Sequence, residues 1–172
     1  MIILFNKSTY TIEGYTMLIE VPIKLAFKMK NSDTGIFGKI ISFVTRSKYY
    51  HVEIIIDKLW VGADAPMGVT MNTLEPLRYD HWEYVDLGIM VLSKTSYDEL
   101  LNYIESLKGI EYDYLAIIFS QLLPFSLHSK DKLFCSEVVT ILLQILHYEQ
   151  VKGLKPHEVS PKDLARIFGL KG

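Results

Sequence analysis

The sequence predicts an α+β fold in which an antiparallel sheet packs against helices. The predicted elements follow the order strand, helix, several strands, then helices, which differs from the regular alternation of a parallel sheet. A β-branched run over 51–56 and an apolar run over 59–63 are separated only by Asp57-Lys58, and so short a connection joins antiparallel strands. Capping signals precede the apolar, helically spaced segments in the second half of the chain.

Length and composition indicate one globular domain. The 172 residues, 49% of them hydrophobic, suffice for one core over 1–172, with residues 1–16 as an N-terminal extension. The mean hydropathy of +0.19 excludes a disordered chain, and the net charge of −2 does not predict a nucleic-acid-binding protein. No signal-peptide pattern and no apolar run of about 18 residues occur, so we expect a soluble cytoplasmic protein without stable membrane insertion.

The first half of the chain is predicted to contain one helix among several strands. Residues 18–27 alternate loosely and predict a strand, which Pro22 should keep near the edge of a sheet. Ser32-Asp33 is an N-cap signal for a helix over 34–45, where apolar residues recur at helical spacing. Further strands are predicted over 51–56, 59–63 and 69–73, and at least one within 82–92, most clearly over 87–92.

The Asp57-Lys58 turn also predicts which residues face each other. With a two-residue turn, Ile56 faces Leu59, and the remaining pairs follow by counting outward. These pairs are Glu53 with Gly62 and His51 with Asp64. His51 and Glu53 should project from the same face of their strand because side chains alternate with a period of two.

The second half of the chain is predicted to contain four helices. Each has a recognisable start or end signal in the sequence. The first begins at the capping box from Ser96 to Glu99 and ends at Gly109. The second, over 114–123, lies between Asp113 and Pro124. The third begins near Cys135 and runs to about residue 148, and Ser160-Pro161-Lys162-Asp163 precedes a short last helix.

Cys135 is the only cysteine, so the chain cannot form an internal disulfide and needs no oxidising compartment. Its predicted place in the first turn of an apolar helix has chemical consequences. Free N–H groups and the positive end of the helix dipole stabilise a thiolate and can bind an oxyanion. The alternative is that Cys135 is a small core residue, which is the commoner fate of a lone cysteine.

His51 is the best candidate for a base that would activate this thiol. It opens the predicted strand over 51–56, where a polar side chain can face a site while the rest of the strand is buried. The alternative is a histidine at a sheet edge without a chemical role. The other histidines are scattered and give no convergent zinc ligands, so we expect no metal or other cofactor. They are His81, His128, His147 and His157.

Several short motifs between residues 18 and 168 resemble one known superfamily. In order they are Ser47-Lys48-Tyr49-Tyr50-His51-Val52, Ala65-Pro66-Met67-Gly68-Val69, Tyr112-Asp113, Phe134-Cys135-Ser136-Glu137-Val138-Val139 and Ser160-Pro161-Lys162-Asp163-Leu164. Their order resembles the circularly permuted branch of the NlpC/P60 superfamily of papain-like cysteine hydrolases, especially the YiiX/YaeF-like group and its poxvirus relatives. His51 precedes Cys135 here, whereas the cysteine comes first in ordinary papain-like enzymes.

The resemblance implies a circularly permuted papain-like fold with Cys135 as nucleophile and His51 as base. A third polar residue would hold the imidazole in the useful tautomer. The resemblance places this acid at the position of Gly62. Glu53, which faces Gly62 in the predicted register, can supply a carboxylate to nearly the same place, and Asp64 is the alternative. The alternative is that Glu53 has no catalytic role and is a charged residue on an exposed edge strand, where it prevents pairing with other chains.

The expected activity is therefore cysteine-dependent hydrolysis of an amide, by a peptidase or amidase that acts on a peptide such as a cell-wall stem peptide. This substrate class rests on the resemblance alone. A lipid acyltransferase or thioesterase of the same superfamily, acting on an acylated small molecule, is the second expectation, and a degenerate binding module is the third. The Lys-, Ile- and Tyr-rich composition suits an AT-rich genome and fits a viral or phage protein, located in the virion or the host cytoplasm.

Overall fold

The computed structural model describes residues 4–5, 8–9, 16–64, 67–73, 81–112 and 132–171. Within them the fold is α+β, with a five-stranded antiparallel sheet and four α-helices. The strands are β1 (Leu4–Phe5), β2 (Ser8–Thr9), β3 (Leu18–Met29), β4 (Tyr49–Ile56), β5 (Leu59–Asp64), β6 (Gly68–Asn72), β7 (Trp82–Ser93), β8 (Glu111–Tyr112) and β9 (Lys132–Leu133). The helices are α1 (Ile36–Thr45), α2 (Lys94–Leu107), α3 (Cys135–Ile145) and α4 (Pro161–Ile167).

The main sheet has the strand order β6-β5-β4-β3-β7. The long strands β3 and β7 pair from Leu18 opposite Ser93 to Lys28 opposite Trp82. Two smaller pairs lie outside this sheet: β1 with β2, antiparallel, and β8 with β9, parallel. The parallel pair directly precedes α3, so it helps to set where that helix begins.

The two faces of the main sheet differ in composition. Val52, Ile54 and Ile56 of β4 belong to the main core, which they share with α3 residues such as Leu142. Because side chains alternate along β4, Ile55 lies on the opposite face. There it forms a smaller buried cluster with Ala26, Trp60 and Trp82. His51 and Glu53 have the parity of Ile55, so their side chains project on the side of the aromatic cluster.

The predicted hairpin and the last capping box are confirmed. Ile56 pairs with Leu59 across the Asp57-Lys58 turn, in which Asp57 has φ of 57°. Ser160 caps α4: its side chain accepts from the N–H of Asp163, whose carboxylate accepts from the N–H of Ser160. Both features are local in sequence, which is why the pattern alone predicts them.

The predicted edge position of Pro22 is wrong. Pro22 lies in β3, an interior strand between β4 and β7. The β3–β4 ladder begins only at Ile23, opposite Ile56, so Pro22 lies one residue beyond it and needs no N–H there. Its carbonyl accepts a hydrogen bond of 2.8 Å from the N–H of Asp57 in the hairpin turn.

Neither α1 nor α2 begins at its predicted cap. The N-cap of α2 is Ser93, whose side chain accepts from the N–H of Ser96, so the predicted box starts three residues late. The N-cap of α1 is Gly35, without a side-chain cap, rather than the Ser32-Asp33 pair. Several neighbouring oxygens can cap each helix, and the end of the preceding strand or turn decides which one does.

The remaining predictions agree in part with the structure or concern residues that it does not describe. β7 is one continuous strand, and α3 ends at Ile145, before the predicted residue 148. The predicted helix over 114–123 and its signals Asp113 and Pro124 lie outside the described residues. Over the described part of the chain, no helix combines the length and apolarity needed to cross a membrane.

Candidate active site

His51 is the third residue of β4 and is held in the interior of the main sheet. It pairs with Lys28 of β3, and only 5% of its surface is exposed. The β-branched run that follows it favours a strand, and this strand is central because β3 and β5 flank it. The imidazole is therefore positioned by a rigid element rather than by a loop.

Glu53 contacts His51 directly. Oε1 of Glu53 lies 3.0 Å from Nε2 of His51, with 17% of the Glu53 side chain exposed. Two residues apart on one strand face, the two groups meet as the alternation predicts. Gly62 of β5 makes room for the carboxylate, because a Cβ at Gly62 would lie 2.6 Å from Cγ of Glu53.

Cys135 is the first residue of α3 and is fully buried. The N-cap is Phe134, which contributes no side-chain hydrogen bond. The first N–H groups of a helix have no acceptor within the helix, and they add to the positive end of its dipole. The thiol thus lies where negative charge is stabilised.

His51 and Cys135 interact through a hydrogen bond and through charge. Burial lowers the pKa of His51, but the negative charge of Cys135 and the hydrogen bond to it raise this pKa. Glu53 raises it further, and together these effects hold the pKa of His51 well above its usual value near 6.5. The surroundings therefore favour the charged form of His51, which interacts with both Cys135 and Glu53.

Trp82 and Lys28 belong to this site although the sequence did not single them out. The Trp82 ring meets the His51 ring edge-on, with 5.9 Å between centroids. Lys28 lies above the Trp82 ring at 5.4 Å from its centroid. The imidazole is also buried, and burial strengthens the electrostatic contacts of His51. Only the pairing of β3 with β4 and β7 brings them together, so no local signal could have identified them.

The structure brings Glu53 rather than Asp64 to the imidazole. Asp64 is exposed at the end of β5, where it pairs with Gly68. Among the described residues no group of three or more His, Cys, Asp or Glu side chains is arranged to hold a metal ion. His128 lies outside the described residues.

No protein-family model matches the chain, and no curated protein sequence matches it either.

Proposed function

We propose that the chain is a cysteine hydrolase with a circularly permuted papain-like fold, which cleaves an amide bond through Cys135, His51 and Glu53. One observation carries this proposal: His51 interacts with Glu53 through Nε2 and also with Cys135. A histidine that bridges a thiol and a carboxylate is the arrangement used to activate a thiol nucleophile. The α+β architecture and the order of His51 before Cys135 support the resemblance to permuted papain-like enzymes.

In the proposed reaction the resting proton lies on His51 and Cys135 is a thiolate. Sγ attacks the carbonyl carbon, and His51 gives its proton to the leaving nitrogen as the C–N bond breaks. This leaves a thioester on Cys135. Water then attacks the thioester and passes a proton to His51. Cleavage of the C–S bond releases the carboxylic acid and restores the charged pair.

Glu53 has a positioning role in this reaction. Because Nε2 of His51 faces Glu53, Nδ1 is the nitrogen left to exchange a proton with Cys135. The carboxylate fixes that tautomer and stabilises the imidazolium. The backbone N–H groups at the start of α3, including that of Cys135, are the proposed donors to the oxyanion.

The proposed substrate is a peptide-like amide, a class that rests on the resemblance to the superfamily. The alternative acyltransferase or thioesterase would need an apolar groove, and the residues expected to line it, Leu122, Leu123, Phe125 and Leu127, lie outside the described residues. A degenerate binding module is the other alternative, and the reactivity of Cys135 distinguishes it from the hydrolase.

The rate of Cys135 alkylation by iodoacetamide tests the proposed charged pair. At about pH 6 we expect the wild type to react roughly tenfold faster than His51→Ala, because an adjacent imidazolium stabilises the thiolate. Since Cys135 is the only cysteine, every labelled molecule reports this site. His157→Ala is the matched control: His157 pairs with Glu158, belongs to neither β4 nor α3, and its removal should leave the rate unchanged.

Equal rates in wild type and His51→Ala would overturn the proposal. If the charged pair is present, incubation with peptide amides should give a product cleaved at one bond and a thioester on Cys135. Mass spectrometry detects both. Their complete absence in Cys135→Ala would tie the cleavage to the thiol.

A further inference from the structure

The helix α1 carries its large apolar side chains toward solvent. The residues that it buries are mostly small or polar: Gly38, Ile41, Ser42 and Thr45. The exposed fractions are 82% for Phe43, 70% for Ile36 and 47% for Phe37. A helix of a globular protein ordinarily has the opposite arrangement, with its apolar stripe in the core.

The apolar residues on the outer side of α1 form one stripe, in which Ile36, Phe37 and Phe43 are exposed and Ile40 and Val44 are half-buried. Ile36, Ile40 and Phe43 recur at spacings of four and three, which places them on one side of the helix. Phe37 and Val44 flank the same side. Such a stripe covers the whole length of the helix, roughly 15 Å for ten residues.

Close packing of the inner face keeps α1 in this orientation. A Cβ at Gly38 would lie 2.7 Å from Thr34 and 2.8 Å from the Tyr50 ring, so no larger residue fits there. At the C-terminal end, the Thr45 carbonyl accepts a hydrogen bond of 2.8 Å from Lys162 of α4. The helix therefore cannot rotate its apolar stripe inward without losing these contacts.

Basic residues lie in and next to α1: Lys39 is within the helix, Arg46 directly follows it, and Lys30 precedes it. Five lysines and arginines and one acidic residue, Asp33, lie between Lys28 and Lys48, in a chain of net charge −2. Lys30, Lys39 and Arg46 are exposed, and none of the three forms an ion pair among the described residues. The apolar stripe is complementary to an apolar layer, and the unpaired basic residues next to it are complementary to negative charges at the boundary of that layer.

We propose that α1 docks the protein on an anionic lipid membrane, with Phe43, Ile36 and Phe37 inserted at the boundary between headgroups and acyl chains. The basic residues then contact acidic headgroups. The helix lies in the plane of the interface and does not span it. A second copy of this chain fits less well, because the basic residues of the two copies would repel each other.

Docking through α1 would hold the candidate active site near the membrane. Ser47 and Lys48 connect α1 to β4, and His51 follows Lys48 by three residues, a distance of roughly 10 Å along the strand. The inner face of α1 also rests on Tyr50, the neighbour of His51. This inference does not depend on the proposed hydrolysis, since it rests on α1 alone.

Co-sedimentation with lipid vesicles tests the docking. We expect the full chain to bind vesicles of phosphatidylcholine with phosphatidylserine and to bind pure phosphatidylcholine vesicles about tenfold more weakly. Phe43→Ser and, separately, Lys39→Glu should each reduce binding to the anionic vesicles by about tenfold. Both residues are exposed, so circular dichroism should show that both variants remain folded.

The matched control is Ile89→Ser. Ile89 is 65% exposed and pairs with Pro22 of β3. Pro22 is seven residues, or roughly 23 Å, from Met29, the end of β3 that leads into α1. Its replacement should leave binding unchanged. Failure of the wild type to bind anionic vesicles would overturn the proposal. So would equal losses in Ile89→Ser and Phe43→Ser, or a dimer in solution that Phe43→Ser converts to monomer.

Discussion

The helices α1 and α3 have similar lengths and similarly apolar sequences but opposite surroundings. α1 has ten residues and turns Phe43 and Ile36 to solvent. α3 has eleven and buries nearly all of its surface, including the polar Ser136, Glu137 and Thr140. Neither helix has a side-chain N-cap. Burial therefore follows from each helix's place against the sheet. The helix α3 belongs to the core, whereas α1 presents apolar side chains to solvent.

The largest expected effect contrasts a core residue of α3 with an exposed residue of α1. Leu142→Ala should lower the free energy of unfolding by about 2–5 kcal/mol, because Leu142 is fully buried and its loss leaves a cavity. Phe43→Ala should change it by less than about 0.5 kcal/mol, since the side chain is already in water. Urea titration measures both. A comparable loss in Phe43→Ala would show that α1 packs against the protein in solution.

The next effect concerns the charge of His51 on β4, which interacts with Glu53 and with Cys135 at the start of α3. Because the folded-state pKa of His51 lies above its unfolded value, protonation of His51 stabilises the fold. This stability is complete below about pH 6.5 and is lost as the pH rises through the folded-state pKa. Glu53→Gln removes one of the groups that raise this pKa, so it should destabilise the protein more at pH 6 than at alkaline pH.

Urea titrations of Glu53→Gln across this pH range measure the difference. Glu83→Gln is a suitable comparison, because Glu83 bonds Tyr49 and Lys48 rather than His51. A cost for Glu53→Gln that does not change with pH would mean that Glu53 acts on packing alone.

The smallest effect concerns the missing cap of α1. Gly35 has extended backbone dihedrals, and nothing lies within 4 Å of a Cβ built there, so serine fits without strain. Gly35→Ser should stabilise the protein by a few tenths of a kcal/mol, measured as a small rise in the thermal midpoint. A loss of stability in Gly35→Ser would show that the α1 terminus is constrained.

The predictions that the structure confirms were based on local sequence patterns. The Asp57-Lys58 turn set the pairing of Ile56 with Leu59, and the period of two placed His51 and Glu53 on one face. The Ser160-Asp163 box marked the start of α4. Each of these depends on residues within a few positions of one another, where backbone geometry leaves few choices.

Longer-range features were decided by the tertiary structure. The propensity of proline predicts an edge strand, yet β3 is an interior strand. Pro22 is tolerated there because the ladder to β4 begins one residue later. The contact of Trp82 with His51, and of Lys28 with Trp82, depends on the register of three strands. The orientation of α1 depends on close contact at Gly38 with Tyr50, which helical periodicity does not encode.

The sequence by itself thus determined the α+β class, the hairpin, and the pairing of a histidine with a carboxylate two residues away. Only the tertiary structure decided that Cys135 interacts with this histidine and that α1, rather than another apolar helix, is left facing solvent. The physical reason is that local backbone preferences act over a few residues. Contacts between distant segments depend on sheet register and on which helix face fits closest to the sheet.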